Sequence, residues 1–342
     1  MRDFFPELIG NEALCRTLAP EMASGKFSHA YILGGAQGSG KHTLARQMIM
    51  AAACEHRTED GYPLPCGTCR TCRKIREGLC PDVITVSREE DRRTIGVDTV
   101  RELRSSVAVV PNDLDVKFYV LEEAHLMTHE AQNALLLTLE EPPPFVCFLL
   151  LAEDTDVLLE TVRSRAPIHR LRPIPHDEIA RHLRKIEAGA TLERENPAEF
   201  RELLLLSDGR IGRAEALLDA NRREAPMQRR RFAATVAELL AERNRSELME
   251  ALLQRGADRE KLAADIRAIS EALRDLLLLS RTEHAPLIFY TDRDAAADLS
   301  SRFTAAKLLA HLGTLEEAEI ALSANANVKI TVTRLASNLL TP

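Results

Sequence analysis

Residues 34–43 read Gly-Gly-Ala-Gln-Gly-Ser-Gly-Lys-His-Thr, a glycine loop between a short apolar run, Ala30 to Leu33, and a helix-periodic stretch, Thr43 to Cys54. Strand, glycine loop, helix is the local order in which the pattern Gly-x4-Gly-Lys cradles phosphates, and Gly35, Gly40 and Lys41 fill that pattern. Its glycines, Gly38 included, let backbone N–H groups close around a polyphosphate, and the lysine adds charge. The next position should carry the Ser or Thr hydroxyl that ligates Mg²⁺. It carries His42, and Thr43 follows one residue late. The expectation is a cradle for ATP phosphates without its Mg²⁺ ligand: a poor nucleotide binder, or a chain serving a partner that hydrolyses.

Further strands are expected at Asp82–Val86, Lys117–Leu121 and Val146–Leu151, with helices over 97–107 and 129–140 and one or two more over 8–24. Strands alternating with helices imply a mostly parallel sheet covered on both faces. After about residue 172 strand-like segments stop, and leucine-, alanine- and arginine-rich helices follow. The expected division is 1–172, a small helical segment 173–225, and a larger helical segment 226–342, with Pro226 near the second boundary. Arg229 to Arg231, flanked by Glu224 and Glu238, reads as a solvated helix face. With 342 residues, 45% of them hydrophobic, the chain can build several cores. Its formal net charge of −7 argues against a surface wrapped in nucleic acid. No apolar run reaches the roughly 18 residues of a membrane span, and the start lacks a signal-peptide pattern. A soluble, cytoplasmic chain is expected.

Cys66-x2-Cys69-x2-Cys72 presents three thiols at turn spacing, and Cys54 stands 12 residues upstream. Tetrahedral zinc takes four soft ligands on such knuckles, and Gly67, Pro63 and Pro65 suit the bends. Four cysteines close the coordination shell, so the zinc expected here is structural. Cys80, beside Pro81, is a less suitable substitute ligand, and Cys15 and Cys147 fall in apolar surroundings that read as core.

The strand from Lys117 ends in Glu122-Glu123, where phosphate-loop ATPases place Asp-Glu. The first carboxylate of such a pair holds Mg²⁺ and the second polarises the attacking water. Glu122 is one methylene longer than Asp, a displacement that octahedral Mg²⁺ tolerates badly, while Glu123 is in place as a vestigial base.

Together with Ser28-His29-Ala30-Tyr31, Gln132-Asn133-Ala134-Leu135-Leu136, Leu139-Glu140-Glu141-Pro142-Pro143, Ser164-Arg165 and the segment from Asn325 to Leu335, these motifs resemble bacterial clamp-loader subunits of the AAA+ class. The resemblance runs over nearly the whole chain. It implies an α/β AAA+ domain with an inserted zinc module, then an all-α lid and an all-α collar domain that oligomerises. By the same resemblance Arg165 is an arginine finger acting in trans in a neighbour's ATP site, and Arg213 stands at the lid's sensor-2 position. Three departures fall on hydrolysis: His42 for Ser or Thr, Glu122 for Asp, and Ala152 where the family's first sensor is polar. They imply a non-hydrolysing, stator-like subunit rather than a gamma/tau motor. The partners implied are the gamma/tau motor subunits, the delta subunit, the sliding clamp and primer-template DNA, in a hetero-pentamer. The alternatives are an active ATPase of the same family, with Thr43 or a water replacing the lost hydroxyl, and a DNA-binding protein whose zinc module would use Arg70, Arg73, Lys74 and Arg76.

Overall fold

Seven consecutive apolar residues, Val146–Ala152, form a strand buried along its whole length, which requires cover on both faces. The computed structural model, which describes residues 3–89, 91–255, 258–282 and 284–340, supplies that cover. In chain order its first part holds α1 (Glu12–Ala23), β1 (Ala30–Gly34), α2 (Lys41–Ala53), α3 (Arg70–Arg76), β2 (Val83–Val86) and α4 (Val97–Val107). Then come β3 (Lys117–Leu121), α5 (His129–Glu140), β4 (Val146–Ala152), α6 (Glu160–Arg163), β5 (Ile168–Arg170) and α7 (His176–Leu183). The strands form one parallel sheet in the order β2-β3-β4-β1-β5.

The two-residue period of a strand sorts the apolar run into two cores. Tyr31, Leu33, Cys147, Leu149 and Leu151 pack with the residues of α1, α2 and α3. Ala30, Ile32, Phe148, Leu150 and Ala152 pack with those of α4 and α5. Cys15 and Cys147 lie in the first core, as their apolar surroundings imply. The expected strands and helices of this part are present. The three-residue β5 is an addition, too short to leave a periodic signal.

The remaining elements of the described residues are helices: α8 (Glu187–Glu195), α9 (Pro197–Ser207), α10 (Ile211–Ala216), α11 (Ala220–Glu242), α12 (Arg245–Leu253), α13 (Arg259–Leu279), α14 (Arg293–Ser301), α15 (Ala305–Ser323) and α16 (Val328–Leu339). The chain divides into two compact units, one reaching to Leu183 and including Gly209–Glu215, the other made of Arg184–Asp208 and the residues from Ala216 onward. The second unit's core collects Val236, Ile266, Ile269, Leu273, Leu315 and Leu335 from α11, α13, α15 and α16.

Two expectations for this region are corrected. Pro226 lies inside α11 rather than between elements; its ring forgoes one helical hydrogen bond, and the helix continues through it. Arg229 to Arg231 is a solvated face only in part: Arg231 is exposed, but Arg230 is buried. Helical spacing puts Arg223, Met227 and Arg230 on the buried side of α11. There Arg230 stacks 4.4 Å over the Phe289 ring, with Glu202 3.7 Å away, and Arg229 lies 3.4 Å from Asp265. Burial lowers the Arg230 pKa, and Glu202 works against that shift.

Buried carboxylates fix two loops. Asp82 is fully buried and accepts from the backbone N–H groups of Asn112 (2.8 and 3.0 Å), Asp113 (2.6 Å) and Leu114 (2.8 Å) just ahead of β3. Asp275 does the same for Ile288, Phe289 and Tyr290 in the second unit. Asp82→Ala strands three donors and should cost about 3 kcal/mol, read as a lower urea midpoint at unchanged slope. An unchanged midpoint would mean that water replaces the carboxylate.

Candidate nucleotide site and metal centre

The step from β1 into α2 places the glycine loop at the sheet's C-terminal edge, where parallel α/β sheets bind ligands. Gly40 enters α2 at φ 100°, a left-handed conformation that a side chain would strain. At Gly38 a Cβ would come within 2.9 Å of the Arg213 backbone nitrogen, and Gly212 N–H donates to the Gly38 carbonyl (2.9 Å). Lys41 is buried, and its ammonium donates to the carbonyls of Gly35 (2.6 Å) and Ala36 (3.1 Å). Burial lowers its pKa, which Glu153 and Glu123 partly oppose.

The loop opens onto a cavity of about 390 Å³ lined by Gly38, Gly40, Lys41, His42, Thr43, Glu122 and Glu123, with further walls from His125, Glu153, His182 and Glu215. The structure thus brings together the cradle and the acidic pair that the sequence singled out. His42 Nδ1 lies 3.1 Å from Glu122 Oε1, so an imidazole occupies the carboxylate that Mg²⁺ would need. Glu123, at φ 50°, is paired with Arg88 at 2.9 Å. An imidazole, a long carboxylate and a displaced threonine are not the oxygen set that octahedral Mg²⁺ requires. Ala152 ends β4 with its carbonyl accepting from Gly35 N–H (3.1 Å), and its methyl brings no polar group.

Some walls have no signal in the sequence. His182 Nε2 meets Glu215 Oε1 at 2.6 Å across 33 residues, and Glu153 N–H donates to His125 Nδ1 (3.2 Å). Arg213 sits on α10 with its backbone against the loop, but it is not among the cavity's lining residues. Arg165 also stands apart from that lining. Just beyond α6, it pairs with Glu140 Oε1 at 2.7 Å and donates to the Thr161 carbonyl at 2.9 Å.

The four cysteines named above converge. The sulfurs of Cys54, Cys66, Cys69 and Cys72 all lie within 4.8 Å of one another, all buried. Arms of about 2.3 Å around a tetrahedral Zn²⁺ bring sulfurs to similar separations, so this set can hold structural zinc. Cys66, Cys69 and Cys72 N–H groups donate in turn to the sulfurs of Cys54 (3.5 Å), Cys66 (3.4 Å) and Cys69 (3.4 Å). Those bonds favour thiolates, the form that binds metal. Cys80 is buried outside the group. Of the basic residues beside the cluster, Lys74 pairs with Asp113 (2.6 Å) and Arg76 with Glu7 (2.7 Å).

Residues 10–175 match the family model described as DNA polymerase III, delta subunit. The tau subunit of DNA polymerase III from Bacillus subtilis is 32% identical over 215 residues, 63% of this chain and 37% of that protein. The gamma subunit from Buchnera aphidicola of Acyrthosiphon pisum is 33% identical over 184 residues, 54% of this chain and 49% of that protein. A Thermotoga maritima protein related to the gamma subunit is similar at 15% identity, covering 96% of this chain and 98% of that one with a TM-score of 0.46. The chain thus matches half or less of the length of these tau and gamma relatives. No helix among the described residues is long and apolar enough to cross a membrane. Over residues 10–175, which hold the parallel sheet and the phosphate loop, the chain is similar to the DNA polymerase III delta subunit model, and over 63% and 54% of its length it is similar to these tau and gamma subunits.

Proposed function

We propose that the chain is a non-hydrolysing, delta-prime-like stator of a clamp loader that places a sliding clamp on primed DNA. The observation that carries this reading is the His42–Glu122 contact of 3.1 Å, which sets an imidazole where hydrolysis needs Mg²⁺. The Arg88–Glu123 pair supports it by engaging the carboxylate that would orient water. In this reading residues 1–172 are the AAA+ domain with the zinc module at 54–72, the helices from there up to α11 the lid, and α11 onward the collar. Arg165 enters a gamma/tau motor subunit's site, and the delta subunit, the clamp and primer-template DNA complete the pentameric assembly. The acidic net charge suits a role dominated by protein contacts. Lys74 and Arg76, already paired with carboxylates, weaken the case for a zinc module that grips DNA by itself.

Mg²⁺-dependent ATP turnover by the purified chain tests the reading. The expected outcome is no turnover above background, and little change in a reconstituted loader carrying Lys41→Ala here. Turnover that Lys41→Ala abolishes would show a working site using Thr43, and would overturn the stator.

A further inference from the structure

The second unit has a cavity of its own, remote in sequence from the phosphate loop and independent of the reading above. It measures about 160 Å³ and lies among the end of α11, the start of α12, α15 and the end of α16. Its apolar floor includes the buried Leu240, Leu248 and Leu339, with Phe303 partly exposed beside them. Its rim is cationic: Arg243, Arg245, Arg302 and Lys307 all line it, and no carboxylate does among the described residues. Among the described residues only Arg302 of these four has an ion pair, with Asp298 at 2.7 Å.

This concentration runs against the chain's net charge of −7. Like charges gathered around a low-dielectric hollow repel one another, and a bound anion relieves that repulsion. Charge alone would suit any anion, whereas an apolar floor of this size takes one leucyl or phenylalanyl side chain. We propose that the cavity is a docking site for an acidic peptide segment of a partner protein, with one bulky apolar side chain in the hollow and flanking carboxylates on Arg243, Arg245 and Lys307. Side-chain anchoring in a pocket with a charged rim is how short segments gain both affinity and selectivity.

Fluorescence anisotropy with a labelled hexapeptide, Asp-Glu-Leu-Phe-Glu-Asp, tests this on the full chain. Saturable binding is expected. Exchanging the central Leu-Phe for Ser-Ser should weaken it about tenfold or more, the worth of one buried apolar side chain. Arg243→Glu with Arg245→Glu should weaken it about tenfold as well. Ala310→Trp, which fills the hollow from an exposed position on α15, should abolish it. No saturable binding would overturn the proposal. So would binding indifferent to the Ser-Ser exchange or to Ala310→Trp, because the surface would then be a bare cationic patch. Should Ala310→Trp fail to fold, the Ser-Ser peptide and the exposed Arg243 and Arg245 substitutions decide.

Discussion

If Arg165 is the proposed finger, Arg165→Ala introduced into this chain alone is expected to slow ATP hydrolysis in a neighbouring motor subunit on the order of 10³-fold, the lower end of what an arginine finger contributes. The guanidinium's part is electrostatic. In the proposed finger role it would meet charge that develops on the transferred phosphoryl group, so its loss would act on the transition state and leave nucleotide affinity nearly unchanged. In the isolated chain Arg165 is held by Glu140 at 2.7 Å and by the Thr161 carbonyl at 2.9 Å. Both side chains of that pair are substantially exposed, and such pairs contribute about 0–1 kcal/mol. Removing Arg165 should therefore leave the fold's stability almost untouched, which separates a catalytic loss from a folding one. Single-turnover hydrolysis in a loader reconstituted with the clamp and primed DNA reads the effect. Arg165→Lys keeps the charge but loses the planar fork, and should recover only part of the rate. An unchanged single-turnover rate for Arg165→Ala would leave Arg165 as the ordinary surface partner of Glu140.

The sheet was legible in the sequence because parallel strands are covered on both faces, so β1, β4 and, after Lys117, β3 appear as apolar runs. The cradle was legible because glycine spacing is itself a backbone requirement, and the cysteine cluster because knuckle spacing is short-range. Long-range pairings were not legible. Nothing local marks His182 and Glu215 as partners across 33 residues, or says that Asp82 folds back onto a turn 30 residues later. Arg230 shows a different limit. Three consecutive arginines between glutamates have the composition of a solvated face, yet helical geometry turns the middle one inward onto Phe289. Composition counts charges, whereas burial depends on where the helix packs, and only tertiary structure supplies that. His42 was visible as a departure, but its contact with Glu122 joins α2 to the end of β3 and needed the fold.

Cys54→Ser and Cys72→Ser are expected to abolish zinc binding, with the wild-type chain carrying one zinc and Cys80→Ser keeping it. Metal content by atomic emission reads this directly. Four buried thiols within 4.8 Å of one another are a poor substitute for a core: they offer weak hydrogen bonds and little apolar area. Cys72 bonds to Cys54, which lowers the Cys54 pKa, while the same contact raises that of Cys72. A cation resolves this unequal sharing by displacing the protons. Zinc binding in small domains is worth on the order of 10 kcal/mol. Even a fraction of that, at about 2–4 °C per kcal/mol for a unit of this size, should lower the melting temperature by about 10 °C. The loss should spread beyond the module. Phe5 N–H donates to the Leu64 carbonyl (2.7 Å) and Leu64 N–H to that of Asp3 (2.8 Å), so the module's loop holds the start of the chain. Arg76 from α3 and Arg46 from α2 both grip Glu7, itself a wall of the cavity at the phosphate loop. Chelation should therefore raise amide exchange at residues 3–8 as well as at 54–80. Exchange confined to the cysteine loop would show that the zinc orders only its own segment. Retained zinc in Cys54→Ser together with its loss in Cys80→Ser would reassign the fourth ligand.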